Sequence, residues 1–236
     1  NACRGYRFGE DGLLTAESGC LFCELAQEAV QRGWAGLEWA VGIPGTLGGA
    51  VVGNAGAYGG YLGDVLADVL VLRPDHRIER VPRSGLGYGY RTSALKREDP
   101  GGPRTVVLEA RMQLRKGQVQ ELVARARFVT EQRQAHTPQG FCAGSTFVRT
   151  EQYPAGFLIE QAGLKGARIG GAQVSEKHAN FIMNVGGASA QDVADLIAYV
   201  QERVWREYAQ RLEPEVQFIG EWPGQSQRVL VRPEKG

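Results

Sequence analysis

The stretch at residues 42–60, GIPGTLGGAVVGNAGAYGG, contains eight glycines in nineteen residues. Glycine within a regular element costs about 0.5–1 kcal/mol relative to alanine, so this density calls for tight turns or for a partner lying close against the main chain. A flexible linker would be richer in Ser and Gln, and poorer in the Ile, Leu, Val and Tyr present here. The stretch therefore favours a ligand site lined by backbone over a linker.

Two common phosphate-binding patterns are absent from this stretch. No Lys-Ser or Lys-Thr follows the glycines, and they do not form a G-x-G-x-x-G preceded directly by a strand. The pattern instead predicts a loop in which Pro44 fixes one turn and Gly48 and Gly49 lead to the short apolar run AVV before Asn54. Unpaired peptide N–H groups in such a loop can bind a planar heterocycle or an anion, and the pattern does not identify which.

The overall composition is that of a globular, nearly neutral protein of 236 residues, with 27 Lys and Arg against 26 Asp and Glu. This balance offers no basic field for nucleic acid or for an anionic membrane surface. The sequence contains no apolar run near the roughly 20 residues of a membrane-spanning helix and no charged-then-apolar leader. A cytoplasmic protein with neither nucleic-acid nor membrane partners is predicted.

The four cysteines are too few and too scattered to predict a disulfide framework. Cys20 and Cys23 form a C-x-x-C pattern, which a metal site or a redox pair would also show. No second Cys or His pair has matching spacing, and the pair falls in a predicted helix with Ser18 as N-cap and Gly33 after its end. A structural role is favoured, and no metal is predicted.

The remaining patterns predict alternating strands and helices without a repeat, which indicates an α/β or α+β protein. A hairpin is expected around the turn RPDH at residues 73–76, and a half-buried strand with Val106, Leu108, Ala110, Met112 and Leu114 on one face. A helix follows from Gln118, with Leu122, Val123, Ala126 and Val129 on its apolar side. A second block contains short strands, a short helix and a long helix whose Ser189 and Asp192 have capping-box spacing.

Four stretches, in order, resemble the motifs of one family. They are GLEWAVGIPGTLGGAVVGNAGAYGG, LGYGYRTSALK, AGSTF with AGLKGARIGGAQVSEKHANFIMNVGGA, and LEPEVQFIG, and together they are similar to the MurB family, the UDP-N-acetylenolpyruvoylglucosamine reductases. The resemblance runs from about Leu13 to Glu221. It implies an α+β protein with an incomplete FAD-binding domain of the PCMH type at residues 1–117 and a smaller α+β substrate-binding domain at residues 118–236.

The resemblance also implies an activity. Members of the family use FAD and NADPH to reduce the enolpyruvyl group of a UDP-sugar, which yields UDP-N-acetylmuramate for peptidoglycan synthesis. The resemblance implies three catalytic roles by motif match: Arg91 polarises the substrate carboxylate, Ser145 donates a proton, and Glu215 assists protonation or orients the substrate. Glu213 lies two residues from Glu215 and would face the same way in an extended segment, so periodicity does not separate the two.

The resemblance assigns binding residues as well. Those expected at FAD are Ile43, Pro44, Gly45, Thr46, Gly48, Gly49, Asn54, Gly56, Ala57 and Tyr58. Those expected at the substrate are Tyr90, Arg149, Lys165, Lys177 and His178. A monomer with small-molecule partners is expected.

The sequence departs from the family pattern at several places. It lacks the glycine-rich GGGSN-type loop that receives the FAD pyrophosphate, and together with the start at Asn1 this leads us to expect a further segment upstream. His136 and Val148 stand where the family often has Lys. The modest interval between Arg91 and Ser145, with no inserted tyrosine-bearing loop, resembles the family's shorter class.

Two other functions are compatible with parts of the pattern. Another flavoprotein of the same superfamily, such as an oxidase of a different alcohol or sugar, could share the FAD-binding half, but it would not need Arg91, Ser145 and Glu215 together. A fragment that binds a nucleotide sugar without turnover is the alternative from a different class.

Overall fold

The computed structural model describes residues 2–99, 102–220 and 222, and it divides into two compact units, residues 1–135 and 136–236. The first unit contains nine strands: β1 Tyr6–Phe8, β2 Leu13–Glu17, β3 Trp34–Ala35, β4 Gly56–Ala57, β5 Gly60–Tyr61, β6 Leu66–Leu72, β7 Ile78–Pro82, β8 Val106–Gln113 and β9 Arg115–Lys116. Its helices are α1 Phe22–Gln31, α2 Leu47–Gly53, α3 Leu62–Val65 and α4 Val119–His136. Strands and helices mix without a βαβ repeat, as in an α+β fold.

The main sheet of the first unit has five antiparallel strands in the order β1-β2-β8-β6-β7. One face packs against the helices and is apolar. The other face carries charges, where Arg80 donates to Asp68 at 2.8 Å and to Glu109 at 2.5 Å, and Arg111 also pairs with Asp68. These guanidinium groups hold the pKa of the Asp68 carboxyl below its usual value, with the Arg111 hydrogen bond the largest cause.

The predicted alternation of buried and exposed side chains along β8 is observed only in the second half of the strand. Ala110, Met112 and Leu114 are buried, but Val106 is 51% exposed and its neighbour Val107 is 6% exposed. The register between β6 and β8 shifts between Leu70 and Val71. An extra residue at such a bulge reverses which face each following side chain occupies, which explains the change.

Two helices begin or pack differently from the prediction. α1 begins at Phe22 with Leu21 as N-cap, not at Ser18, whose carbonyl accepts a hydrogen bond from Gly48 N at 2.9 Å and so lies in the preceding loop. On α4, Leu122 and Val129 enter the core of the first unit, while Val123 is 46% exposed because it lies about 100° around the helix from Leu122. The division into two compact units falls between Ala135 and His136, at the last residue of α4, while the domain boundary expected from the sequence lies between residues 117 and 118.

The second unit contains a four-stranded antiparallel sheet in the order β10-β13-β12-β11. Its elements are β10 Cys142–Ser145, α5 Ala155–Gln161, β11 Arg168–Ile169, β12 Ala172–Val174, β13 Phe181–Asn184 and α6 Ala190–Tyr208. The predicted capping box of α6 is confirmed: Ser189 Oγ accepts from Asp192 N, and the Asp192 carboxylate accepts from Ser189 N. The buried stripe of α6, with Leu196, Ile197 and Val200, closes the core over this sheet.

Candidate functional site

The glycine-rich stretch forms a short helix, α2, where the sequence predicted a loop. Thr46 is its N-cap, with Oγ1 accepting from Gly49 N at 3.3 Å, and Asn54 ends it with a left-handed φ of 45°. The helix buries Leu47, Ala50 and Val51 against the first core. Because these residues take one side of the helix, Gly49 and Gly53 are left on the other.

The glycines of this stretch fall into two groups. A Cβ at Gly56 or Gly60 would collide with the Tyr61 ring or the Trp39 ring, and one at Gly42 would come within 2.7 Å of the Arg133 side chain. A Cβ at Gly48 would make a tight contact of 3.0 Å with Ser18 Cβ. Among the residues that the structure describes, apart from chain neighbours and the backbone of α2 itself, no heavy atom lies within 4 Å of such a Cβ at Gly45, Gly53 or Gly59. At Gly49 the one such atom is Thr46 Oγ1 at 3.7 Å. Internal packing thus explains the first group and does not explain the second.

Gly49 and Gly53 are four residues apart and lie on the same face of α2, with Gly45 just before the helix. We call Gly45, Gly49 and Gly53 the bare face of α2. Gly45 has a φ of 106°, and within the described part of the chain no hydrogen bond is made by its N–H or by that of Thr46. The bare face therefore combines main-chain donors with open space, which fits a flat ligand with hydrogen-bond acceptors along its edge.

The other residues expected at this site surround α2. Pro44 is exposed and Ile43 is half-buried against the first core. Ala57 pairs with Gly60 in the β4–β5 hairpin, and Tyr58 at its tip is exposed with a φ of 50°. Asn54 is 6% exposed, and its side chain is engaged by main-chain groups: Oδ1 accepts from Gly63 N at 3.0 Å and Nδ2 donates to Gly89 O at 3.0 Å.

Arg91 lies in a tight turn in which the Gly89 and Thr92 N–H groups each donate to the other residue's carbonyl, at 3.1 and 3.3 Å. Its φ is 55°, a left-handed value that is uncommon for residues other than glycine. Strain of this kind persists where surrounding contacts fix the backbone, and it is frequent at functional sites. Lys96 Nζ donates to Arg91 O at 2.9 Å, and the guanidinium carbon lies 5.8 Å from the Tyr90 ring centroid.

The end of α2 holds this turn from both sides. Tyr88 Oη donates to Val51 O at 2.9 Å, and Ser93 Oγ donates to Val52 O at 2.7 Å. Together with the Asn54–Gly89 bond, these contacts tie residues before and after Arg91 to the C-terminal turn of α2. The glycine-rich stretch and the Arg91 turn thus form one assembly within the first unit.

Ser145 and Glu215 lie in the second unit, on neighbouring segments. Ser145 ends β10 and pairs with Phe181. Phe147 forms an antiparallel bridge with Pro214, in which Glu215 N donates to Thr146 O and Val148 N donates to Glu213 O, both at 2.8 Å. Glu215 is therefore bonded next to Ser145 along the chain, whereas Glu213 is bonded two residues further on.

The expected substrate residues of the second unit have varied surroundings. Arg149 and Lys177 are exposed, and Lys165 is half-buried with its Nζ 2.5 Å from Glu160 Oε1. His178 is half-buried, and its Nδ1 accepts from Asn180 N at 3.2 Å. His136, in place of the family's Lys, is the last residue of α4.

Burial lowers the pKa of His178 below 6.5, and the bond from Asn180 N also requires an unprotonated Nδ1. Because the unfolded state then binds more protons, the protein loses stability as pH falls from 6.5 through the folded pKa, and keeps the full contribution above 6.5. We expect an NMR titration of the His178 ring to have its midpoint below 6.5. His178→Gln identifies the resonance and should flatten the pH dependence of the urea midpoint in this window. A ring that titrates above 6.5 would contradict the assignment.

Sequence reasoning missed two residues that hold these segments, Asn180 and Ser93, and assigned Asn54 to FAD without its role in holding the Arg91 turn. Each of the three side chains bonds to main-chain groups distant in sequence. Their only sequence signal is a polar residue within an otherwise apolar run, as in HANFIM.

The four cysteines are all free thiols. Cys20 is buried and its Sγ lies 3.6 Å from Gly5 O, and burial raises its thiol pKa. In the described ranges no group of three or more His, Cys, Asp or Glu could hold a metal ion. None of the helices described is long and apolar enough to span a membrane.

Comparison with known protein families first defines the class of protein to which each part of the chain belongs. Residues 6–81 match a family described as FAD binding domain, and residues 133–219 match one described as the C-terminal domain of UDP-N-acetylenolpyruvoylglucosamine reductase. The protein thus combines a domain of the FAD-binding class with a reductase C-terminal domain.

Whole-chain relatives give the family. UDP-N-acetylenolpyruvoylglucosamine reductase of Trichormus variabilis is 46% identical over 90% of this chain and 63% of its own length, and that of Synechococcus sp. is 46% identical over 92% and 69%. The crystal structure of UDP-N-acetylenolpyruvylglucosamine reductase (MurB) from Thermus caldophilus superposes with a TM-score of 0.76 and 36% identity, covering 89% of this chain and 73% of that one. The chain belongs to the UDP-N-acetylenolpyruvoylglucosamine reductase family. It spans slightly less than two thirds of the Trichormus relative.

Proposed function

We propose that the protein reduces the enolpyruvyl group of a UDP-N-acetylglucosamine enolpyruvate with NADPH and FAD, giving UDP-N-acetylmuramate for peptidoglycan synthesis in the cytoplasm. One observation carries the proposal: the bare face of α2 and the strained Arg91 turn are joined by hydrogen bonds into one assembly. These bonds join the bare face of α2, which can hold a flat cofactor, to the turn that carries Arg91, whose guanidinium can bind the substrate carboxylate. Family membership supports the same reaction.

The bare face of α2 fits FAD on the chemistry of its groups. A flavin ring has acceptors along one edge and apolar faces, and the bare face offers N–H donors at Gly45 and Thr46 beside backbone without side chains. FAD, when bound, would take up a hydride from NADPH and deliver it to the enolpyruvyl methylene carbon. The protein's part is to hold the cofactor, orient the sugar and manage charge and proton.

Arg91 would stabilise the charge that develops on the substrate. Hydride addition to the methylene carbon leaves an enolate whose negative charge extends over the carboxylate. A guanidinium pairs with a carboxylate through two parallel hydrogen bonds, and it is most effective when its position is fixed beforehand. The hydrogen bonds around the Arg91 turn supply that fixed position.

Ser145 would complete the reduction by giving its hydroxyl proton to the carbon next to the methylene. One hydride and one proton then saturate the double bond, and the alkoxide left on Ser145 regains a proton from water. Glu215, bonded through its N–H to Thr146, is the carboxylate assigned to assist this protonation. Its attachment one residue from Ser145 favours it over Glu213.

The substrate diphosphate would meet the basic side chains of the second unit. We assign this contact to Arg149, Lys165, Lys177 and His178, with Tyr90 contacting substrate beside Arg91 in the first unit. Lys165 is paired with Glu160, so it would have to exchange this carboxylate for the diphosphate.

We further infer that the protein belongs to the shorter class of the family and acts as a monomer. The sequence between Arg91 and Ser145 contains no tyrosine, and from Val106 onward the described residues there are mostly taken up by β8, β9 and α4.

The protein expressed from its complete reading frame should be yellow. It should oxidise NADPH only when the enolpyruvyl UDP-sugar is supplied, followed at 340 nm. NADPH oxidation that instead depends on oxygen and another sugar would indicate an oxidase of the same superfamily. A colourless protein that binds the UDP-sugar without turnover would indicate a binding fragment.

Gly49→Ala tests the bare face directly. A Cβ there meets only Thr46 Oγ1 at 3.7 Å, so without cofactor the variant should be about 0.5–1 kcal/mol more stable, as alanine is in a helix. With FAD against this face, the methyl group should weaken cofactor binding by about tenfold or more, since 1.4 kcal/mol of contact loss has that effect. Urea unfolding of the cofactor-free protein and FAD titration by fluorescence measure the two effects. Unchanged FAD affinity would place the cofactor elsewhere.

A further inference from the structure

Asn180 is buried beside the strand that carries Ser145, at the position just before β13. Its side chain forms two hydrogen bonds with one residue: Oδ1 accepts from Phe147 N and Nδ2 donates to Phe147 O, both at 2.9 Å. Its own carbonyl accepts from Thr146 N at 2.8 Å. Only 8% of Asn180 is exposed, so water has little access to compete for these bonds.

The amide of Asn180 acts here like an additional peptide in the sheet. β10 and β13 pair at Ser145 and Phe181, and beyond that pair the side chain of Asn180 supplies the donor and the acceptor that a neighbouring strand would have supplied. A side chain that holds both the N–H and the C=O of one residue fixes the rotation of that residue as well as its position. The segment after Ser145 is thereby held in place without the regular backbone hydrogen bonds between paired strands.

The opposite edge of this segment holds Glu215. Glu215 N donates to Thr146 O, Val148 N donates to Glu213 O, and the side chain of Phe147 is 2% exposed in the second core. The chain of contacts therefore runs from Asn180 through residues 146 and 147 to residues 213–215. A change at Asn180 would pass to both Ser145 and Glu215.

We propose that Asn180 is a positioning residue that sets the register between Ser145 and Glu215. It acts through the backbone of Thr146 and Phe147, to which it is hydrogen-bonded. This inference rests on the proposed function for the roles of Ser145 and Glu215, but not for the hydrogen bonds themselves.

Asn180→Asp is the sharpest variant, because it keeps the shape of the side chain. An aspartate still accepts from Phe147 N, but it cannot donate to Phe147 O and places a carboxylate against that carbonyl. Asn180→Ala removes both bonds and leaves buried groups unpaired, which threatens folding. The matched control is Ser189→Ala, which removes the N-cap hydroxyl of α6 in the same unit, away from this segment.

Two measurements separate positioning from general destabilisation. In single-turnover experiments with saturating substrate, Asn180→Asp should slow reduction of the enolpyruvyl sugar about 10- to 100-fold and leave flavin reduction by NADPH unchanged, since small misplacements of reacting groups have effects of this size. Ser189→Ala should change neither rate. Equal slowing by both variants, or no slowing by Asn180→Asp, would overturn the inference.

Amide hydrogen exchange of the full chain gives a readout independent of turnover. Asn180→Asp should speed exchange at Phe147 and Glu215 selectively, whereas Ser189→Ala should speed it near the start of α6. If the wild-type protein shows no turnover, the proposed function fails and exchange alone decides the role of Asn180. Unchanged exchange at Glu215 would then overturn it.

Discussion

Ser145→Ala should leave flavin reduction by NADPH intact and slow reduction of the enolpyruvyl sugar by about 10²–10⁴-fold, the usual contribution of a positioned proton donor. The reason is that a proton is needed only in the second half-reaction. Stopped-flow absorbance of the flavin measures the two half-reactions separately. The first is followed with NADPH alone, and the second with the reduced protein and the UDP-sugar.

Ser189→Ala is the matched control for Ser145→Ala, because it also removes one hydroxyl from the second unit. It should leave both half-reactions at the wild-type rate. If Ser145→Ala slowed both halves equally, the hydroxyl would act in cofactor or NADPH binding and not as the proton donor.

Arg91→Lys should slow the same second half-reaction by about 10²–10³-fold, comparable to losing a fixed donor at a developing oxyanion. Lysine keeps the charge but not the planar fork that pairs with a carboxylate through two bonds. The backbone strain is the same for both residues, so the comparison isolates the side chain. Arg77→Lys, at an exposed hairpin turn, is the control and should have no effect.

The left-handed φ of Arg91 allows a second test. Arg91→Gly should fold at least as well, because glycine adopts this φ of 55° without strain. The variant should lack turnover of the sugar and regain part of it when guanidine is added to replace the missing group. Activity of Arg91→Gly without guanidine would show that Arg91 does not polarise the substrate.

The class of fold and the ends of several elements were predictable from local patterns. The hairpin β6–β7, the capping box of α6 and the apolar stripe with Leu196 and Val200 depend on residues close in sequence. The exposed Val106 and Val123 were not predictable in this way. The first depends on a register shift between two strands, and the second on which side of α4 meets the core.

The features of the candidate site also divide into those predictable from local sequence and those that depend on contacts distant in sequence. Motif order is the basis on which Arg91, Ser145 and Glu215 are proposed, because their local sequences match the family. The sequence did not separate Glu215 from Glu213, since residues two apart face alike in an extended segment. The two glutamates differ in their pairing with residues 146–148, and that pairing joins segments about 70 residues apart in the chain.

The sequence by itself determined that residues 42–60 carry far more glycine than a regular element tolerates, and that the chain resembles a reductase family. Only the tertiary structure decided what each glycine does. Gly42, Gly48, Gly56 and Gly60 face atoms of the protein itself, and Gly59 faces open space at the tip of a hairpin. Gly45, Gly49 and Gly53 form the bare face of α2. The physical reason is that the space around a Cα is set by residues distant in sequence, and composition carries no information about it.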